Sequence, residues 1–161
     1  MSRFTALFTI ALLLVALCAA PWRAASAAGS VEMQVEHLVK EAMAEYNTAM
    51  ETGDSACFLK YFAYNTTRET PLSRQSGRTE LARSFDAEFK AYKASFQVQK
   101  MFVQGGSAAI VLTWEATDRA TGDGVKIDMV GLYEVGPSGQ FSTAKFYFES
   151  AKASALAKLG K

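Results

Sequence analysis

The apolar residues of this chain change their period once, near Lys93, and that change limits what the chain can fold into. Before Lys93 they recur every three to four residues; after it they alternate. From Val31 to Thr52 the apolar positions are Val35, Leu38, Val39, Ala42, Met43, Tyr46 and Met50. That spacing predicts a one-sided helix, with His37, Glu41, Glu45 and Thr48 on the opposite side. Gly53 ends it, and Asp54 or Ser55 caps a short second helix carrying Cys57, Phe58, Tyr61 and Phe62. The segment Asn65–Arg78, with its Pro and Gly, predicts a short strand and then a loop. Thr79 caps a third helix with Leu81, Phe85, Phe89 and Tyr92 on one face.

Four strands are predicted beyond the change of period: Phe96–Gln104, Ala108–Asp118, Val125–Val135 and Phe141–Glu149. Gly105-Gly106, "RATGDG" and "GPSG" make the turns between them. Short connections make neighbouring strands antiparallel. Helices first and a meander after predict an α+β fold: a cone-shaped single domain, three N-terminal helices packed on a curved, mostly antiparallel sheet. The space between the layers is a natural pocket. Alternation aims Ile110, Leu112 and Trp114 inward, then Ile127, Met129, Gly131, Tyr133 and Val135, then Ala144, Phe146 and Phe148. Glu115, Asp128 and Lys145 fall on the outer face. That face also carries Val111, Val130, Leu132 and Tyr147, enough apolar surface to predict a homodimer through it.

The ends of the chain read differently. Arg3, the uncharged run Phe4–Ala20 and "AASA" ending at Ala27 form the three parts of a secretory signal. Residues 1–27 are therefore read as a signal peptide, 28–150 as the domain and 151–161 as a short Ala/Lys-rich tail. The expected location is secreted or periplasmic, with no stable membrane span after cleavage. An uncleaved anchor and a lipoprotein attached at Cys18 are the other readings of this segment. Removing Arg3 and Arg23 leaves 15 basic and 16 acidic side chains, a charge of about −1, so there is no electrostatic footprint for nucleic acid. Cys57 alone remains, which rules out an internal disulfide and is read as a buried thiol without a base partner.

Three stretches carry a resemblance. "AEYNTAMETGD" resembles the end of the first helix of ketosteroid isomerases, "YFAYNTTRETPLSRQSG" is similar to the segment that follows it, and "YEVGPSGQF" looks like the last turn. With the order of elements, they resemble the nuclear-transport-factor-2-like superfamily, which includes ketosteroid isomerases and SnoaL-like polyketide cyclases. In the isomerases a tyrosine and a protonated aspartic acid donate hydrogen bonds to an enolate while a second aspartate moves the proton. Carried over, Tyr46 matches the donor tyrosine, Thr70 the base and Gly131 the acidic donor. One part of three survives, so the resemblance implies the cavity without the isomerase acid/base pair.

The expected function is binding of a small, largely apolar molecule, of polyketide-like or steroid-like kind, without a cofactor. Tyr46, Tyr64, Thr70, Phe89, Trp114, Met129, Tyr133, Phe146 and Phe148 are the expected lining. The competing reading is a cyclase, isomerase or dehydratase that polarises a carbonyl with Tyr46, its carboxylate supplied by Asp128 or Glu69. A third is a dimeric protein-interaction module. Arg68 and Glu69 lie near the expected cavity mouth. His37, the sole histidine, is on the polar side of its helix, which argues against a metal site and against a Ser-His-Asp arrangement.

Overall fold

The computed structural model describes residues 29–149. The signal-like segment 1–27 and the tail 151–161 lie outside the described residues.

Residues 29–52 are helical (α1). Val35, Val39, Ala42, Met43, Tyr46 and Met50 are all buried, on the single face that their spacing predicts. The helix stops at Gly53, whose positive φ of 74° returns its N–H to the Ala49 carbonyl at 2.8 Å. Asp54 then caps α2 (Ser55–Leu59) by accepting the Ala56 N–H. This helix is shorter than expected, and Phe62 belongs to the next strand. Cys57 is exposed rather than buried, because the inward positions of so short a helix are taken by Ser55, Phe58 and Leu59.

β1 (Phe62–Thr70) and β2 (Ser73–Ser76) form an antiparallel hairpin where one strand and a loop are expected. Its turn is closed by Thr70, whose hydroxyl accepts the Leu72 and Ser73 N–H groups. Helix α3 (Arg78–Ala91) starts after Gly77 rather than at Thr79, and the Glu80 carboxylate reaches back to the Ser76 N–H at 2.8 Å. Tyr92 is not the last helical residue. Its backbone is extended, and it opens β3 (Tyr92–Gln104) opposite Asp118. β4 (Ser107–Asp118), β5 (Gly124–Val135) and β6 (Phe141–Tyr147) complete the meander close to the expected bounds.

The six strands form one sheet in the order β2-β1-β6-β5-β4-β3. Every pair is antiparallel except β1 with β6, so the N-terminal hairpin joins the meander through its last strand. The helices pack on one face. The inward set of β4, β5 and β6 is buried as alternation predicts: Ile110, Leu112, Trp114, Ile127, Met129, Tyr133, Ala144 and Phe146. Asp128 lies on the other face, where it accepts the Thr113 hydroxyl at 2.7 Å. That outer face exposes Phe102, Val130, Leu132 and Tyr147.

Two polar side chains fasten the helices to the sheet. The Asn47 carboxamide bonds both backbone groups of Phe96, at 2.8 and 3.1 Å, on the free side of edge strand β3. The Arg119 guanidinium donates to the carbonyls of Met50, Phe89 and Tyr92, at 3.2, 3.1 and 2.8 Å. It thereby satisfies carbonyls near the C-terminal ends of α1 and α3 that no helical turn follows.

Candidate functional site

Between α3, the N-terminal hairpin and the inner face of the sheet lies a cavity of about 250 Å³. Phe96, Trp114, Met129, Phe146 and Phe148 make its apolar wall, and Leu72 and Ser73 of the exposed hairpin turn stand at its rim. Arg68 and Glu88 are its charged groups. Their side chains are 13% and 15% exposed, well below a surface pair, and Arg68 Nη2 lies 3.4 Å from Glu88 Oε2.

Glu88 is the residue that brings the site together. Its Oε1 accepts the Tyr46 hydroxyl at 2.6 Å. The Tyr46 oxygen in turn accepts Trp114 Nε1–H at 3.0 Å. An indole nitrogen can only donate, so the single phenol proton must point at Glu88. The chain of bonds therefore has one direction, Trp114 to Tyr46 to Glu88. Burial, and after it the negative charge of Glu88, hold the Tyr46 phenol well above its ordinary value, so it remains a neutral donor. Its ring is wedged among Phe58, Phe89 and Phe96, with centroids 5.3, 5.6 and 4.3 Å away. Arg68 enters from β1, and its guanidinium stands 5.1 Å from the Phe85 ring centre and 5.6 Å from that of Phe146.

Sequence reasoning leaves the cavity without an acid, and this is corrected. Glu88 was legible in principle: it follows Leu81 by seven residues and Phe85 by three, so it shares the buried stripe of α3. A charged side chain on that stripe gives no inward signal of its own. Neither acid proposed from the sequence takes that place. Asp128 faces outward, and Glu69 is not part of the lining.

Of the expected lining, Thr70, Trp114, Met129, Phe146 and Phe148 are on the cavity wall. Tyr46, Phe89 and Tyr133 are buried behind it. Tyr46 is thus not a donor aimed into the cavity; its proton is engaged by Glu88. Tyr133 packs on Phe141 and Phe146, and burial raises its phenol above the ordinary value. Tyr64 is corrected outright, being 83% exposed. The pairing of β1 with β6 shifts between Phe62 and Thr67, so alternation no longer tells which side Tyr64 takes. Gly131 is buried, and a Cβ there would meet Tyr133, Ile110 and Phe146 atoms at 3.1, 3.2 and 3.3 Å. At the position that matches the isomerase acid even a Cβ would press on three packed core side chains.

His37 is exposed and lies 3.3 Å from Glu41 on the same helix. Among the described residues no cluster of three or more His, Cys, Asp or Glu side chains is disposed to hold a metal ion, and no helix is long and apolar enough to cross a membrane.

Residues 43–142 match the SnoaL-like domain family. Solved structures share the fold at low identity. SalBIII, an epoxide hydrolase/cyclase-like enzyme with a role in pyran ring formation in the polyether salinomycin, is 23% identical with a TM-score of 0.62. The match covers 74% of this chain and 96% of SalBIII. An LEH-like epoxide hydrolase of M. tuberculosis is 14% identical with a TM-score of 0.63, over 75% of this chain and 86% of that one. RV0760c of Mycobacterium tuberculosis, in complex with estradiol-17β-hemisuccinate, is 15% identical with a TM-score of 0.61, over 71% of this chain and 96% of its own. No curated protein matches this sequence significantly.

Proposed function

We propose that this chain, which belongs to the SnoaL-like domain family, binds a small, largely apolar molecule in the cavity, with the molecule's polar end against Arg68 and Glu88. The observation that carries this reading is the contrast within the lining: aromatic and Met walls converge on one charged pair. The ligand of RV0760c and the polyether role of SalBIII support a steroid-like or polyketide-like size class. Tyr46 fixes Glu88 through Oε1, while Oε2 has only a 3.4 Å contact to Arg68, an arrangement that suits a group that orients a ligand.

The test is native mass spectrometry of the purified protein for a co-purifying small molecule, with thermal shifts from apolar carbonyl compounds. A bound species that is lost in Met129→Trp, a variant that fills the cavity, supports the reading. Empty protein and no thermal shift reject it.

A second reading is catalysis. The 2.6 Å bond from Tyr46 to Glu88, at a cavity with an exposed rim, favours it. Glu88 would take the substrate proton, and Arg68 would carry negative charge developing on oxygen. Turnover of a carbonyl or epoxide substrate that Glu88→Gln abolishes, while the substrate still binds, would establish this reading over passive holding.

We also propose that the chain is exported, on the signal-like residues 1–27, and that two copies pair through the outer sheet face. Phe102 and Tyr147, 63% and 54% exposed, support that pairing. N-terminal sequencing of the mature protein tests the first. Sedimentation of wild type against Leu132→Glu tests the second, and a wild-type monomer rejects it.

A further inference from the structure

The polar end of the cavity carries two opposite charges, and their arrangement restricts what can sit on it. Arg68 offers the N–H groups of a guanidinium. Among the described residues its one hydrogen bond is the 3.4 Å contact to Glu88, and its other neighbours are the rings of Phe85 and Phe146. Glu88 offers carboxylate lone pairs. Oε1 is committed to Tyr46, while Oε2 has only the long contact to Arg68. The Trp114 bond turns the Tyr46 proton toward Glu88, so the phenol has no donor left for a ligand. The formal charges of Arg68 and Glu88 cancel.

Resting on the binding reading above, we propose that the site selects a neutral ligand end that both accepts and donates a hydrogen bond. A carboxamide, a hydroxyketone or an enolisable dicarbonyl fits that description, and a carboxylate does not. The neutral group accepts from Arg68 and donates to Glu88 Oε2, which uses both unspent capacities. A carboxylate would satisfy Arg68 but present only lone pairs to Glu88. It would also set two negative charges side by side where the Arg68 and Glu88 side chains are largely buried, so that repulsion is less screened than at the surface. A bare hydrocarbon would leave Arg68 and Glu88 only their own 3.4 Å contact and gain nothing from either. Glu88 is thus a specificity-determining residue that rejects anions, and Arg68 alone would have attracted them.

The test uses a matched set on one apolar scaffold: naphthalene, 2-naphthamide and 2-naphthoate, titrated calorimetrically at pH 7.5 into wild type and Glu88→Gln. Amide and carboxylate have nearly the same shape and differ in charge. In wild type the amide is expected to bind at least about tenfold more tightly than the naphthoate. In Glu88→Gln, which leaves Arg68 unbalanced, the order is expected to reverse. Naphthoate binding wild type as tightly as the amide overturns the proposal, with or without a folded variant. An unchanged order in folded Glu88→Gln overturns it as well. Failure of all three compounds to bind, or binding that survives Met129→Trp, overturns the cavity reading itself.

Discussion

Tyr46 and Glu88 lie forty-two positions apart in the chain and 2.6 Å apart in space, joining α1 to α3 behind the cavity wall. The phenol oxygen serves two partners, donating to Glu88 and accepting from Trp114. Tyr46→Phe removes both bonds and leaves a buried indole N–H without an acceptor. It is expected to cost about 2 kcal/mol, the scale of an unmade buried hydrogen bond. Urea denaturation measures it. A double-mutant cycle with Glu88→Gln should return coupling of about 1 kcal/mol; additivity would mean that the two groups do not interact in solution.

The same burial predicts a response to alkali. Tyr46 and Tyr133 are both raised above the ordinary phenol value of 10.0, burial being the largest cause for each. Between that value and the folded one, the folded chain keeps phenol protons that the unfolded chain has lost. Stability therefore stays level below about pH 10 and falls as pH rises beyond it. Denaturation midpoints between pH 8 and 12 check this. Tyr46→Phe should be less sensitive than wild type over the same range.

Gly131 makes a steric prediction. The three contacts that an added Cβ would meet, from 3.1 to 3.3 Å, all belong to packed core side chains. Gly131→Ala is expected to destabilise by about 1–3 kcal/mol, the usual cost of overpacking. Gly131→Asp should be worse, since it adds an unpaired charge in the core. Equal midpoints for Gly131→Ala and wild type would show that the core yields at no cost.

Cys57 is exposed, yet its Sγ lies 3.3 Å from Asp54 Oδ2. The hydrogen bond to Asp54, followed by its charge, pushes the thiol up and keeps it protonated. Asp54→Asn retains a good helix cap while removing the charge. Alkylation of Cys57 by iodoacetamide at pH 8 should quicken severalfold in that variant, followed by peptide mass mapping to separate it from Cys18. An unchanged rate would mean that Asp54 does not control the thiol.

How much of this was legible varies with how local the cause is. α1 and the faces of β4 and β5 follow from periodicity, because Val39, Met43, Ile110, Trp114 and Met129 each repeat with their neighbours. The β1–β2 hairpin was missed because a Thr70 side chain, not a glycine pair, closes its turn. The parallel pairing of β1 with β6 has no local signature, and its register shift hid the exposure of Tyr64. The site was half legible. Its walls come from alternation, whereas the position of Glu88 depends on partners from α1 and β1 that no window of sequence contains.

Arg119 ties the ends of two helices and the start of β3 to one side chain. A single substitution far from the charged pair, Arg119→Ala, is therefore expected to loosen both helix ends from the sheet together. The packing of the layers and the chemistry of the cavity thus rest on different side chains: Arg119 is not part of the lining, and Arg68 and Glu88 are.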